Sequence, residues 1–247
     1  MPVQIEICIN ADREESVRRS VSAAFQGGAG RIELCGAMHH DGLTPQKKLI
    51  DVARKTFRER PGLLVMIRPR KGDFFYTPQT VTEMIAQIEG AARQGADGVV
   101  FGALHHTDHT INRSATLRLA EAAKKYDLAT TFHRAFDATP NPSESLEQLI
   151  EMGIDRVLTS GNPWGEPGSA LTGLPKLASM LEQARNRIEL VVGGGVSPGN
   201  AGTLCRSLQT HGTHFSLHAY SSVRQDERTS QKKVERLVKN ASLTSIS

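Results

Sequence analysis

Short runs of apolar and β-branched residues recur along the whole chain, and an amphipathic stretch separates most of them from the next. Runs of this length and composition predict buried β-strands, and the amphipathic stretches between them predict helices. The candidate strands are VQIEIC, RIELC, LLVMIRP, GVVFGAL, LATTFHR, RVLTSG, IELVVGGG and HFSLHA. Helical patterns that lie between them include ESVRRSVSAAFQGG, TVTEMIAQIEGAARQG, SATLRLAEAAKKY, SESLEQLIEMG and LPKLASMLEQAR.

Eight strands that alternate with helices, without a linker or a shift in composition, favour a closed barrel over an open doubly wound sheet. We therefore predict an α/β fold with a single (β/α)8 barrel domain over residues 1–247. A helical or irregular tail is expected from about residue 221. A chain of 247 residues with 38% hydrophobic residues can bury the core that such a fold needs.

Composition indicates the compartment in which the protein is expected to work. No apolar run approaches the roughly 20 residues of a membrane span, and the N-terminus lacks the pattern of a signal peptide. The three cysteines are too few and too scattered for a disulfide framework. We expect a cytoplasmic protein with free thiols and no membrane partner.

The charge pattern gives little support for nucleic-acid binding. The formal net charge is +4, but the basic residues are scattered among 26 acidic ones. A modest basic concentration occurs only in the tail, in VRQDERTSQKKVERLVK. Nucleic acid is therefore not expected as a partner.

Polar and reactive residues stand where six of the predicted strands end. In a (β/α)8 barrel the carboxyl ends of the strands form the mouth of the site. One such residue by itself is most simply explained as a structural ion pair or a loop cap, but six strand ends together predict a polar site at one rim. The residues are Glu6 and Cys8, Glu33 and Cys35, Arg68 and Arg70 with Asp73 beyond them, His133 and Arg134, Thr159 and Ser160, and His218.

Several of these motifs, in their order along the chain, resemble the CutC family of copper homeostasis proteins, which has a TIM-barrel fold. The matching runs are EIC, RIELC followed by GLTP, MIRPRKGDFFY, DGVVFGAL, TFHRAFD, RVLTSG and VVGGGV. The resemblance implies binding of Cu(I), with Cys8 and Cys35 at the family's cysteine positions. The chain departs from the family pattern at Ile9, where some members carry a second cysteine, and in the segment HAYSSVRQDERTSQ.

The chemistry of Cys8 and Cys35 is consistent with that implication. Side chains alternate along a strand, so Cys8 shares a face with Glu6, and Cys35 shares one with Glu33. Cu(I) is a soft ion that prefers thiolate ligands, and neighbouring strands lie about 4.8 Å apart. The same proximity suits a disulfide under oxidising conditions. The alternative is that both cysteines are buried packing residues, which we also expect of Cys205.

A barrel enzyme that acts on a small phosphorylated or carboxylate substrate by acid–base chemistry is the alternative function. In this hypothesis Glu33, Asp73 and His133 are the catalytic candidates. Arg68, Arg70 and Arg134 would bind the anion, with Glu33 and Asp73 compensating the positive charge. Backbone N–H groups of Gly193, Gly194 and Gly195 would add to the anion site, although a tight turn before a helix capped by Ser197 explains the glycines equally well.

Two further features carry weaker hypotheses. The loop histidines His105, His106 and His109 are a conceivable metal cluster, but such polar loops are usually solvated. A homo-oligomeric interaction protein is a third functional class, supported only if Phe74, Phe75 and Tyr76 are exposed. The sequence indicates no organic cofactor.

Overall fold

The eight predicted strands form one closed parallel barrel in sequential order. The structure is a computed structural model, which describes residues 3–212 and 214–242. The strands are β1 (Gln4–Asn10), β2 (Arg31–Cys35), β3 (Leu63–Met66), β4 (Gly98–Phe101), β5 (Ala129–Phe132), β6 (Arg156–Thr159), β7 (Glu189–Val192) and β8 (Phe215–Ala219). Strand β1 pairs with both β2 and β8, which closes the barrel and confirms the predicted (β/α)8 TIM-barrel fold.

Seven helices connect the strands around the outside of the barrel. They are α1 (Glu14–Gln26), α2 (Lys47–Phe57), α3 (Pro78–Arg93), α4 (Arg113–Lys124), α5 (Pro142–Glu151), α6 (Leu174–Ala184) and α7 (Ala201–Gln209). Three of them, α3, α4 and α5, begin with a side-chain cap. Before α3, Thr77 Oγ1 accepts a hydrogen bond from the Thr80 N–H, and Pro78 occupies the first helical position. The alternative explanation of the glycines, a turn before a helix capped by Ser197, does not match α7, whose N-cap residue is Asn200.

Most apolar residues lie between the barrel and its helices. The outward faces of the strands and the inner faces of the helices form one continuous core that includes Ile7, Leu34, Phe101 and Leu190. Inside the barrel, a much smaller apolar cluster contains Cys8, Cys35, Leu64, Met66 and Val100. The barrel interior also contains buried charged residues.

Buried charge therefore has to be compensated within the barrel. Glu6, Glu33 and Arg156 are all nearly inaccessible to solvent. Arg31 and Glu189 form a two-pronged ion pair near the start of the strands, with N–O distances of 2.6 and 3.0 Å.

After β8 the chain packs back against the first and the last of these helices, α1 and α7. A single 3-10 turn (Ser221–Val223) leads into the two-stranded hairpin β9 (Arg224–Gln225) and β10 (Arg228–Thr229), and then into helix α8 (Gln231–Ser242). Val234 of α8 lies so close to Gly27 that a Cβ atom at Gly27 would come within 2.6 Å of the Val234 Cβ. Within residues 3–212 and 214–242, no helix combines the length and apolar character needed to cross a membrane.

Candidate functional site

A cavity of about 180 Å³ opens at the mouth of the barrel, among residues at the carboxyl ends of the strands. It brings together seven of the residues predicted from the sequence, namely Cys8, Glu33, Cys35, Arg68, His133, Arg134 and His218. Five other predicted residues are not part of its lining: Arg70, Asp73, Gly193, Gly194 and Gly195. Two of the glycines pack tightly against neighbouring side chains. A Cβ atom at Gly193 would be 2.8 Å from Leu158, and one at Gly194 would be 2.8 Å from Ser160.

Three sulfur atoms meet on one side of this cavity. Cys8 Sγ lies 3.8 Å from Cys35 Sγ and 3.9 Å from Met38 Sδ. Both cysteines are buried and project into the barrel from neighbouring strands, where Cys8 pairs with Glu33 and Cys35 pairs with Asn10. Sequence reasoning missed Met38, although a thioether three residues after Cys35 was a signal for a third soft ligand.

The loop after β2 places Met38 over the cysteines. Met38 opens a 3-10 turn flanked by Ala37 and Asp41, which have φ angles of 45° and 61°. Non-glycine residues adopt this left-handed conformation at a cost. Gly42 follows with φ of 85°, and a Cβ there would come within 3.4 Å of Cys35 Sγ. The chain is thus held close against the sulfurs.

The two cysteines differ in protonation. The hydrogen bond between the two sulfur atoms lowers the pKa of Cys8 to about 6, against the effect of burial, and His218 lowers it further. The same contact with Cys8, together with burial, raises the pKa of Cys35 well above its usual range. At neutral pH the pair is therefore one thiolate and one thiol.

A buried acid–histidine–acid cluster lies beside the thiolate. His218 Nδ1 is 2.9 Å from Glu6 Oε1, and His218 Nε2 is 3.4 Å from Glu33 Oε2. Burial would lower the pKa of His218, but its hydrogen bonds to Cys8 and Glu6 and the negative charge of Glu6 raise it well above its usual range. The sequence placed His218 at a strand end without assigning it these partners.

The two acids of this cluster differ in protonation as well. Burial raises the pKa of Glu33 to about 8, an effect that His218 only partly offsets. Burial would also raise the pKa of Glu6, but the hydrogen bond and charge of His218 outweigh burial and lower it. At neutral pH Glu33 is therefore mainly protonated, whereas Glu6 is a carboxylate.

Beside the loop that carries Met38, Arg68 is buried without an acidic partner. Its guanidinium donates to the backbone carbonyls of His40, Gly42 and Gly72 at 2.8, 3.2 and 2.7 Å, and it lies over the ring of Phe74. Its Nε atom is buried without a hydrogen-bond partner. In the described part of the chain, no carboxylate lies within 4 Å of Arg68.

Of the two acids expected to compensate the arginines, only Asp73 pairs with one of them. Asp73 forms an exposed ion pair with Arg70 outside the cavity, which holds the pKa of Asp73 below its usual range despite some desolvation. Glu33 interacts with His218 instead. Asp73 and Arg70 lie on one loop, whereas Glu33 and His218 lie on β2 and β8, on either side of β1.

Asp137 is the carboxylate that compensates Arg134. Its Oδ2 accepts from Arg134 Nε at 2.8 Å and from the Ser160 N–H at 3.2 Å, while its Oδ1 accepts from Thr159 Oγ1 at 2.5 Å. Burial raises the pKa of Asp137, and the charge of Arg134 opposes that rise. The three-residue spacing in the RAFD motif was the available signal for this pair. Trp164 covers the outer face of the Arg134 guanidinium.

His133 is a neutral hydrogen-bond donor at the cavity. Burial lowers its pKa to about 3, and the charge of Arg68 acts in the same direction. Because Nδ1 accepts from the Ala135 N–H at 3.1 Å, the ring proton belongs on Nε2, which is buried and has no partner. The ring packs on Phe74, at 5.0 Å between centroids.

The structure also bears on the aromatic run at residues 74–76 and on the loop histidines. Phe74 and Tyr76 are buried, so the aromatic run is not the exposed patch that an interaction surface required. His106 and His109 pack edge-on against Phe75. Within the described residues, the only group of three or more His, Cys, Asp or Glu side chains close enough to hold a metal ion is Cys8, Glu33 and His218. Cys205 is buried in α7, in agreement with a packing role.

Comparisons with known proteins agree with the resemblance seen in the motifs. The CutC family model matches residues 3–219. A CutC family protein from Bacteroides fragilis is 41% identical over 211 residues, which cover 85% of this chain and 78% of the relative. The copper homeostasis protein cutC homolog of Mus musculus is 41% identical over 219 residues, which cover 88% of this chain and 74% of the relative.

Solved structures give the same result. A crystal structure of a copper homeostasis protein CutC from Streptococcus agalactiae superposes with a TM-score of 0.75 at 30% identity, covering 87% of this chain and 98% of that one. Fold, motifs, family model and relatives all agree: the chain belongs to the CutC family of copper homeostasis proteins.

Proposed function

We propose that this CutC family protein binds Cu(I) in the cytosol through Cys8 and Cys35. The observation that carries the proposal is the 3.8 Å separation of their sulfur atoms in a buried position at the barrel mouth. Cu(I) prefers soft sulfur ligands. All three cysteines are free thiols in the structure, as binding in a reducing compartment requires.

The third sulfur supports the same proposal. At a metal–sulfur distance of about 2.3 Å, the value for zinc thiolates, three sulfurs around one ion in a plane are about 4 Å apart. The observed distances from Cys8 to Cys35 and from Cys8 to Met38 are 3.8 and 3.9 Å. Cys8 and Cys35 would supply the charge, and the Met38 thioether would complete a trigonal set.

Anaerobic titration against a competing Cu(I) chelator tests this proposal. We expect one Cu(I) per chain for the wild type and loss of that site in the Cys8→Ser/Cys35→Ser double variant. Cys205→Ser is the matched control, because it also removes a buried thiol but should leave binding unchanged. Met38→Leu keeps the side-chain volume and should weaken binding without removing it. If the double variant kept the stoichiometry and affinity of the wild type, the proposed site would be wrong.

A second candidate function is binding, and acid–base turnover, of a small carboxylate or phosphate. It is favoured by two buried donors without partners in the same cavity, Arg68 Nε and His133 Nε2. A bound oxyanion would satisfy both, since buried donors without partners are costly. The catalytic set differs from the one expected: Glu33, mainly protonated at neutral pH, would be the proton donor, whereas the low pKa of His133 limits it to hydrogen bonding.

Thermal shifts with a panel of phosphates and carboxylates test this second candidate. A ligand at 100 times its dissociation constant stabilises the folded state by about 2.7 kcal/mol, so a concentration-dependent rise in Tm is expected. His133→Phe keeps a ring against Phe74 but removes the N–H donor, and it should lose part of the response. A flat profile for the wild type across the panel would argue against this function.

A further inference from the structure

We propose that Cys8, Glu33 and His218 form a second metal site, which takes a divalent ion of the Zn²⁺ class. One ligand atom from each residue lies within 4.8 Å of the other two. Thiolate, carboxylate and imidazole are the ligands that Zn²⁺ uses in proteins. In a tetrahedral site with bonds of about 2.0–2.3 Å the ligand atoms are about 3.3–3.8 Å apart, and His218 Nε2 already lies 3.4 Å from Glu33 Oε2.

The position of these residues follows from strand pairing. Strand β1 lies between β8 and β2, and its register pairs Glu6 with His218 and Cys8 with Glu33. All four side chains point into the barrel, and three adjacent strands therefore hold the ligands on a rigid frame. Metal sites built on such elements keep their geometry better than sites built on loops.

Glu6 supplies the supporting contact that a histidine ligand normally has. A metal-bound histidine usually gives its second ring N–H to a carboxylate, which fixes the tautomer and directs the other nitrogen to the metal. Glu6 Oε1 lies 2.9 Å from His218 Nδ1 and so leaves Nε2 directed at Glu33 and Cys8. Glu6 is thus a positioning residue for the site.

Two further observations favour a metal site over a cluster that serves only as a network of ion pairs. Glu33 Oε1 is buried without a hydrogen-bond partner, so this carboxylate has a free ligand atom in the barrel. Cys8, Glu33 and His218 also line the mouth cavity, which leaves room for a water molecule or a substrate atom at a fourth position. Three protein ligands with one open position are typical of catalytic zinc sites.

This site and the proposed Cu(I) site share only Cys8. The copper set uses Cys35 and Met38, and the zinc set uses Glu33 and His218. Both ions would bind the same buried thiolate and would place two positive charges close together, so we expect the two metals to compete for the site. The shared residue makes the two proposals separable by mutation.

The test is titration of the metal-free protein with Zn²⁺ alone against a competing chelator, and with Co²⁺ as a spectroscopic substitute. We expect one Zn²⁺ per chain and, with Co²⁺, the visible bands of a tetrahedral site with a thiolate charge-transfer band. Glu33→Gln should abolish tight Zn²⁺ binding and keep Cu(I) binding. Glu6→Gln should weaken Zn²⁺ binding by about 10–100-fold. Cys35→Ser should keep Zn²⁺ binding and lose tight Cu(I) binding.

The proposal fails in either of two outcomes, provided that circular dichroism shows each variant to be folded. In the first, the wild type binds no stoichiometric Zn²⁺ and shows no tetrahedral Co²⁺ spectrum, so the cluster is an ion-pair network only. In the second, Zn²⁺ binding survives Glu33→Gln but is lost in Cys35→Ser, so zinc uses the copper ligands. Neither outcome depends on whether Cu(I) binds, because the zinc titration is done without copper.

Discussion

Replacing Asp137 by alanine should destabilise the barrel far more than replacing Asp73 by alanine. Each acid forms an ion pair with an arginine three residues before it in the sequence, Arg134 and Arg70 respectively. The two pairs differ in burial. The side chain of Asp137 is 2% exposed, whereas that of Asp73 is 50% exposed.

The magnitude follows from the partners that Asp137 would leave behind. Thr159 Oγ1 and the Ser160 N–H are both buried and both donate to Asp137. A buried donor without a partner costs about 1–3 kcal/mol, and breaking a buried ion pair costs about 3–5 kcal/mol. Because the Arg134 side chain is 32% exposed, water can solvate part of its charge, and we expect the lower end, about 3 kcal/mol.

Thermal unfolding followed by circular dichroism measures the difference. For a chain of this size, 1 kcal/mol shifts Tm by about 2–4 °C, so Asp137→Ala should lower Tm by about 6–12 °C. Exposed ion pairs contribute about 0–1 kcal/mol, so Asp73→Ala should lower Tm by less than about 4 °C. Equal shifts for the two variants would show that burial of the Asp137 network contributes nothing, and the reasoning would be refuted.

The remaining predictions concern the cavity. Because the pKa of Cys8 is lowered to about 6, its thiolate is present above that pH, and alkylation of Cys8 should reach a plateau near neutral pH; a rate that still rises above pH 8 would contradict this. Cys205, whose pKa is raised to about 11, should stay unmodified at neutral pH in the same mass-spectrometric experiment. Mild oxidation should join Cys8 to Cys35, seen as a mass loss of two hydrogens and loss of Cu(I) binding; a linkage to Cys205 would contradict the geometry. Gly102→Ala should displace His133, because a Cβ there would lie 2.6 Å from its ring, and should reduce any anion-induced rise in Tm; an unchanged response would exclude a role for that donor.

The fold and half of the site were predictable from strand periodicity. Apolar runs gave the eight strands, and the architecture then placed Cys8, Glu33, Cys35 and His133 at one rim. The eight strands were predicted correctly because two properties can be read from the sequence: which residues alternate to the same face of a strand, and the order of the strands along the chain. Cys8 and Glu33 are paired residues of adjacent strands, so two positions in the sequence fix their distance.

Contacts that depend on loop geometry were not predictable in the same way. Met38 reaches the sulfurs through a turn flanked by left-handed residues, and no periodicity specifies such a turn. The guanidinium of Arg68 donates hydrogen bonds to three backbone carbonyls of loops. Every residue has a backbone carbonyl, so the sequence does not show which ones will accept. Sequence reasoning assigned acids to the arginines because it counted only side-chain charges.

Charge balance links the two metal proposals in the barrel interior. At neutral pH without metal, Glu6 and Cys8 are negative, His218 is positive, and Glu33 and Cys35 are protonated, so these five groups together carry one net negative charge. Cu(I) adds one positive charge and displaces one proton, from Cys35. Zn²⁺ adds two positive charges and displaces two protons, from Glu33 and His218. The buried charge is therefore the same in all three states, and because a change in buried charge is costly, one cluster can hold either ion without rebuilding the surrounding barrel.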